Sequence, residues 1–294
     1  MTKEWDDLVA ATADWIDPWC SRDAWQTAVH SAFAPRTEPV RRAATGWALQ
    51  VAPLELDDGT PAIVGLDRIW GFGAAVVGHP TDELCGALVE LGDWRVAVLA
   101  GGRPGSAYEQ ALVEALVAGN WQVRAGMTTT RLVADLDEGW WSRRSGRFRQ
   151  RLRQAERVAP VQFEICDCRV DMARMQVIEA RSHKGLAMSG LASPDMAHLY
   201  QLLIDAGAAN RCVIATIEGA DVGFILGGVH GGTYRGLQMS FVEPTRPYSI
   251  GNLLQMHEIR RHGGYRYDLG MEMDYKRHWA DREESTRAIV LVRA

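Results

Sequence analysis

An α/β protein with mixed sheets in two tandem lobes is what the sequence predicts, on three observations. Runs with strand periodicity alternate with runs of helical periodicity along the whole length. Asp57-Asp58-Gly59 and Gly219-Ala220-Asp221 are hairpin signals, while helices join other strands, so antiparallel and parallel neighbours are both expected. The same style restarts near Asp137, which places the lobes at 1–136 and 137–294 with no repeat visible as sequence.

The elements follow in order. Helices are expected at Glu4–Ile16 and Ser21–Phe33, the second capped by Ser21, and Pro35 and Pro39 then make a connector. Strands at Gly46–Leu56 and Pro61–Ile69 lead to Trp70-Gly71-Phe72-Gly73, which reads as core packing at a bend rather than the wall of a ligand pocket. A helix over Thr81–Leu91 and a strand over Trp94–Ala100 precede the glycine loop Gly101–Gly105. That loop lacks the Gly-Lys-Ser/Thr of a P-loop, and Ser106 with Glu109 forms a capping box for a helix over Ala107–Ala118. Strands at Trp121–Gly126 and Thr128–Leu136 close the first lobe.

The second lobe opens with one long helix to about Arg157, a strand at Val161–Cys168 and a helix over Asp171–Arg181. The loop Ser182–Gly190 is followed by a helix with Ser193 as cap and Pro194 in its first turn. Strands at Cys212–Glu218 and Val222–His230 come next, and Arg287–Val292 supplies the last strand.

Composition excludes some classes. A net charge of −5 and a pI near 5.9 argue against a DNA-binding or nucleic-acid-coating protein. No apolar run approaches the ~20 residues that span a bilayer. The start MTKEWDDLVAATADW is acidic rather than signal-like, so a cytoplasmic location is expected. Five scattered cysteines suit a reducing compartment, and Cys166-Asp167-Cys168 has no second pair with which to build a zinc site. No metal is expected. His257 and His262 stand five apart, whereas the zinc-protease motif needs four, and no Gly-x-Ser-x-Gly elbow is present.

The stretch Thr233–Lys276 carries most information. A strand through Tyr234, Leu237, Met239 and Phe241 breaks at Pro244 and Pro247 and restarts as a helix through Ile250, Leu253 and Leu254. Gly251 falls in its first turn, where a missing Cβ lets a ligand approach the free N–H groups, and Arg246 lies just upstream. Such a helix entrance suits a diphosphate. Gly263-Gly264 stops the helix, and Tyr265–Leu269 reads as the next strand.

This order of strand, Arg-x-x-x-x-Gly turn, helix, strand and Tyr275-Lys276 resembles the GNAT-fold acyltransferases, in particular the CelD-like branch related to the Fem aminoacyltransferases. Tyr248-Ser249-Ile250-Gly251 is similar to that branch's Tyr-Ser-Pro-Gly, with Ile in place of Pro. The resemblance is strong from about Trp140 onward and architectural before that. It implies two GNAT-like lobes, the C-terminal one holding an acyl donor through Met239, Ser240 and Phe241 on the strand. Arg246, Ser249, Ile250, Gly251, Asn252 and Lys276 would complete the donor site. Asn252 and Leu253 stand where the general GNAT turn continues with Gly-x-Gly/Ala spacing. The donor therefore stays open between acyl-CoA as co-substrate, an acyl carrier protein and, as in the Fem type, an aminoacyl-tRNA. A non-catalytic GNAT-like binding module is the reading from another class.

The implied reaction is direct attack of a primary amine, on a small molecule or a peptide, upon the thioester. It needs a base for the ammonium, an N–H for the oxyanion and an acid for the thiolate. Tyr275 stands where GNAT enzymes commonly keep a tyrosine acid; Asp268, Glu272 and Glu179 are base candidates. Glu179-Ala-Arg-Ser-His183-Lys184-Gly185 resembles the Glu-x-x-x-x-Lys-Gly segment of the CelD-like branch, and the imidazole of His183 is a further base candidate. The helix over Ser142–Arg157 carries two arginine ridges, Arg143/Arg147/Arg151 and Arg149/Arg153/Arg157, for which an anionic partner is a hypothesis.

Overall fold

In the computed structural model, which describes residues 2–117, 119 and 121–293, the last strand returns to the first part of the chain. One unit is Met1–Thr130 with Glu284–Ala294, and the other is Arg131–Glu283. The strand expected at Arg287–Val292 is the end of β12 (Arg282–Val292), and it pairs antiparallel with β5 (Val96–Gly102) of the first unit. A cut at 136/137 gives that strand to the second lobe because local pattern carries no information about which neighbour a strand will find.

The first unit holds α1 (Thr2–Ala11), α2 (Asp23–Phe33), β1 (Val40–Ala44), β2 (Trp47–Glu55), β3 (Pro61–Gly65), β4 (Val76–Gly78), α3 (Glu83–Val89), β5 and α4 (Ala107–Val117). Its strands run in the order β1-β2-β3-β5-β12, with β4 on β2 and only β3 and β5 parallel, so the sheet is mixed. Ser21 does not cap α2, which starts one residue after Arg22; the Ser21 hydroxyl instead accepts the Ala74 N–H at 2.9 Å. The Asp67 carboxylate accepts the N–H groups of Trp70, Phe72 and Gly73 and the Trp25 indole N–H, which knits the Trp70–Gly73 bend into the core as expected. Ser106 Oγ accepts the Glu109 N–H at 3.1 Å, and the Glu109 carboxylate reaches back to Gly105 N–H at 2.7 Å, so the glycine loop is a helix entrance. Ala118, the expected end of that helix, lies outside the described residues.

The second unit takes the end of β6 (Gln122–Asp135), then α5 (Trp140–Arg143), α6 (Gly146–Val158), β7 (Val161–Cys166), α7 (Met172–Ala180), α8 (His183–Leu186), α9 (Pro194–Asp205), β8 (Arg211–Ile217), β9 (Ala220–His230), β10 (Thr233–Phe241), α10 (Ile250–His262) and β11 (Arg266–Met271). The two strands expected between Trp121 and Leu136 are the single β6, and the long helix after Asp137 is two helices. Arg144 is extended there, and Ser145 Oγ accepts the Phe148 N–H at 3.2 Å, so a new N-cap restarts the chain as α6. Its buried face, Phe148, Leu152 and Ala155, packs in a cluster with Trp140 and Trp279, with Phe148 edge-on to Trp279 at 4.9 Å.

Strand order in this unit is β6-β11-β10-β9-β8-β7, antiparallel except for the pair β10 and β11. Alternation covers both faces: Val213, Ala215 and Ile225 meet Ile250 and Leu254 of α10, while Cys212 Sγ lies 3.4 Å from Met175 Sδ of α7. No helix of the described residues is long and apolar enough to cross a membrane.

Candidate functional site

Strands β10 and β11 pair over only three residues, Thr233↔Arg266, Tyr234↔Tyr267 and Arg235↔Asp268, and then part. Gly270 turns into the left-handed region at φ +76° and donates its N–H to Asp268 Oδ1 at 2.8 Å, so it no longer serves β10. Below the parting, Tyr234 stacks on Tyr267 at 4.3 Å, and Asp268 Oδ2 holds Arg235 at 2.8 Å and Arg131 at 3.4 Å, all buried. Burial works to raise the Asp268 pKa, but Arg235 and Arg131 outweigh it, and the net direction is down. The predicted base Asp268 is thus placed as an ion-paired lock at the root of the gap.

Past Gly236 the second edge of β10 is open. Val242 N–H donates to Val222 O of β9, so by alternation Ser240 also turns its amide toward β9, while Met239 and Phe241 turn theirs toward the gap. Ser240 therefore stands apart from its two neighbours as an amide donor, and its buried hydroxyl has no hydrogen-bond partner among the described residues.

Two lysines close on this gap. Lys184 Nζ donates to Met239 O and Lys276 Nζ to Met271 O, each at 2.9 Å. Burial lowers the pKa of both, Lys276 to about 8, helped there by the nearby Arg235 charge. Glu179 is fully buried; one oxygen accepts Leu191 N–H at 2.9 Å and the Gln238 amide, and the other has no partner among the described residues. Tyr200 donates to Leu237 O at 3.2 Å on the same strand. His183 is exposed, with Nδ1 at 3.5 Å from Glu243, and Glu272 is ion-paired to Arg277. Tyr200 and Gln238 carried no motif in the sequence, since only the packing of α9 on β10 brings them here.

The turn from β10 to α10 is a 3₁₀ segment over Glu243–Tyr248, and Ser249 follows it in the left-handed region at φ +56°. Ile250 is core. A Cβ on Gly251 would stand 3.3 Å from Met239 Cε and Phe241 Cε1, so this glycine lets α10 seat on β10 and faces the strand rather than solvent. Arg246 is paired to Glu243 at 2.7 Å. Ser249 and Asn252 instead share a cleft of about 270 Å³ with Phe148, Arg151, Tyr275 and His278. Burial raises the pKa of the Tyr275 hydroxyl, although the side chain keeps 44% of its surface. Of the α6 arginines, Arg147, Arg149, Arg151, Arg153 and Arg157 make no ion pair within the described residues.

A profile of the Acetyltransferase (GNAT) domain family matches residues 142–277, which contain every side chain of this gap and cleft except His278 and the root residue Arg131. Residues 142–277 are a GNAT acyltransferase domain. Among solved structures the chain is similar to FemX, at 11% identity over 98% of this chain and 95% of that one, with a TM-score of 0.67. It is also similar to the C-terminal domain of a protein described as a lysylphosphatidylglycerol synthetase from Agrobacterium fabrum, at 13% identity over 100% and 93%, TM-score 0.59. A tandem GNAT protein from the clavulanic acid biosynthesis pathway matches at 14% identity over 98% and 94%, TM-score 0.51. At these identities the likeness is one of fold, that of two GNAT-like lobes. No curated protein sequence matches the chain.

Proposed function

We propose that the GNAT domain transfers an acyl group from acyl-CoA to a primary amine by direct attack within a ternary complex. The observation that carries this reading is the open edge of β10, where the Met239 and Phe241 amides face a gap that begins at a locked ion cluster and adjoins the α10 entrance. An extended thioester arm finds main-chain partners along such an edge, and a preorganised N–H there stabilises the tetrahedral oxyanion. The first amides of α10, with Ser249, Asn252 and Arg151 in one cleft, suit the donor's diphosphate better than the Glu243-paired Arg246.

As the amine nitrogen bonds to the acyl carbon, the carbon–sulfur bond breaks, the amine loses a proton and the thiolate gains one. Tyr275, beside the donor cleft, is the acid for the thiolate, and Lys276 Nζ at 5.9 Å from its ring stabilises the tyrosinate left behind. His183 is the exposed base; Glu179 sits sealed beneath Leu191 and Gln238 and shapes the acceptor side, while Asp268 holds the strands. We place the reaction in the cytoplasm, where acyl-CoA is made. The test is the intact mass of the protein after exposure to acetyl-CoA without an amine. Direct attack predicts an unchanged mass, and an added acetyl group that chases into product would replace this mechanism with a covalent one.

The five arginines of α6 that lack carboxylate partners among the described residues favour a second reading, in which a polyanionic carrier, an acidic acyl carrier protein or an aminoacyl-tRNA as in the Fem type, delivers the acyl group.

A further inference from the structure

Lys184 and Lys276 face the strand gap from its two sides, one bonded to a carbonyl of β10 and the other to a carbonyl of β11. Neither forms an ion pair within the described residues, and the Lys184 charge repels that of Lys276. Glu179 attracts Lys184 and Asp268 attracts Lys276 only from beyond ion-pair distance, and Asp268 already serves Arg235 and Arg131. Two like charges drawn together and partly out of water are costly, and a bound anion removes that cost. Both side chains keep part of their surface, so a solute reaches them.

We infer that Lys184 and Lys276 together bind a carboxylate of the amine acceptor, so that the acceptor is an α-amino acid rather than a simple amine. This rests on the acyl-transfer reading for its place in the reaction. A carboxylate between the two lysines puts an α-amine two bonds from it, beside the Met239 and Phe241 amides that would hold the thioester carbonyl. The donor's phosphates have a separate place, the cleft of Arg151, Ser249 and Asn252. The same segments expose Leu186 and Met188 beside Lys184, and Met271 and Met273 beside Lys276, so the acceptor side chain is apolar.

The test reads binding without turnover. The wild type and a Lys184→Met/Lys276→Met variant, each checked for folding by thermal unfolding, are titrated calorimetrically with L-leucine, L-methionine and L-phenylalanine and with their amides, no donor being present. We expect at least one acid to bind about tenfold or more tighter than its amide. That ratio should fall to about one in the double variant and be retained in Lys184→Arg, which keeps the charge. If the double variant does not fold, Lys184→Gln and Lys276→Gln taken singly must each lower the ratio. Equal binding of acids and amides by the wild type, or a preference that survives loss of both lysines, overturns the inference. So does a double variant that loses acetyl-CoA binding while keeping the acid preference, which would assign the pair to the donor. Failure of acyl transfer itself would show as absence of product with any amine and would leave the binding ratio unchanged.

Discussion

Tyr275 and Lys276 are neighbours in one short 3₁₀ turn, Asp274–His278, and partial burial changes both in ways that can be measured. With Tyr275 as acid, Tyr275→Phe lowers turnover by ~10²- to 10⁴-fold while donor affinity holds, because only the hydroxyl is removed. Steady-state rates beside a donor titration check this, and full turnover in the variant would remove the tyrosine from proton transfer. Lys276 has a stability signature. The unfolded chain keeps its proton to about pH 10.5 and the folded chain only to about 8, so the unfolded state binds more protons between those values and stability rises with pH across them. Lys276→Met should therefore exceed the wild type below pH 8 by about 1 to 2 kcal/mol, reduced for partial exposure, and the difference should close by about pH 10.5. Urea midpoints over that range decide, and a difference independent of pH contradicts the burial of this amine. The sequence alone puts Lys276 in the donor site through a motif, but its lowered pKa follows from burial, with Arg235 and Lys184 adding to it, and these come together only through the fold.

Helix α10 shows how much of an element can be read in advance. Its start, its apolar spacing and its Gly263 stop all follow from local rules, yet the reason for Gly251 does not. The structure turns that residue toward Met239 and Phe241, so Gly251→Val should cost about 1 to 3 kcal/mol of stability and weaken donor binding together, by displacing those two side chains. Gly251→Ala should be nearly neutral, because helix propensity gains up to about 1 kcal/mol against the tight contact. Urea unfolding with donor calorimetry separates these outcomes; a Val variant of full stability would show that the seat on β10 is loose. Short or charged strands were harder to read: β1 contains Arg41 and Arg42, β4 has three residues, and both are strands only because β2 offers each an edge. On α6 the periodicity of the arginines was plain, while Ser145 as its cap was hidden in a longer helical pattern. Reversal of Arg147 and Arg151 to Glu should raise the Michaelis constant for acyl-CoA, with a shallow salt dependence, since Arg151 lines the cleft proposed for the donor. Loss confined to acyl carrier protein, with a steep salt dependence, would move the donor to the carrier.

Across the whole molecule, alternation of strand and helix announced the α/β class, and the resemblance carried by Thr233–Lys276 announced the GNAT fold that the domain match and the structural likenesses bear out. The division of the chain was less legible, because β12 joins β5 across most of the sequence and such pairing is settled by long-range contact. The claim at this scale is that one unit, Arg131–Glu283, binds a thioester donor at the gap and delivers its acyl group to an amine. The most direct measurement is thiol release from acetyl-CoA with parallel mass spectrometry of the products, in the presence and absence of a mixed pool of amino acids and amines. The account predicts thiol release only when amines are present, with one N-acetylated product for each thiol. Thiol release absent with every amine, alongside transfer from an aminoacyl-tRNA to the same pool, would contradict it.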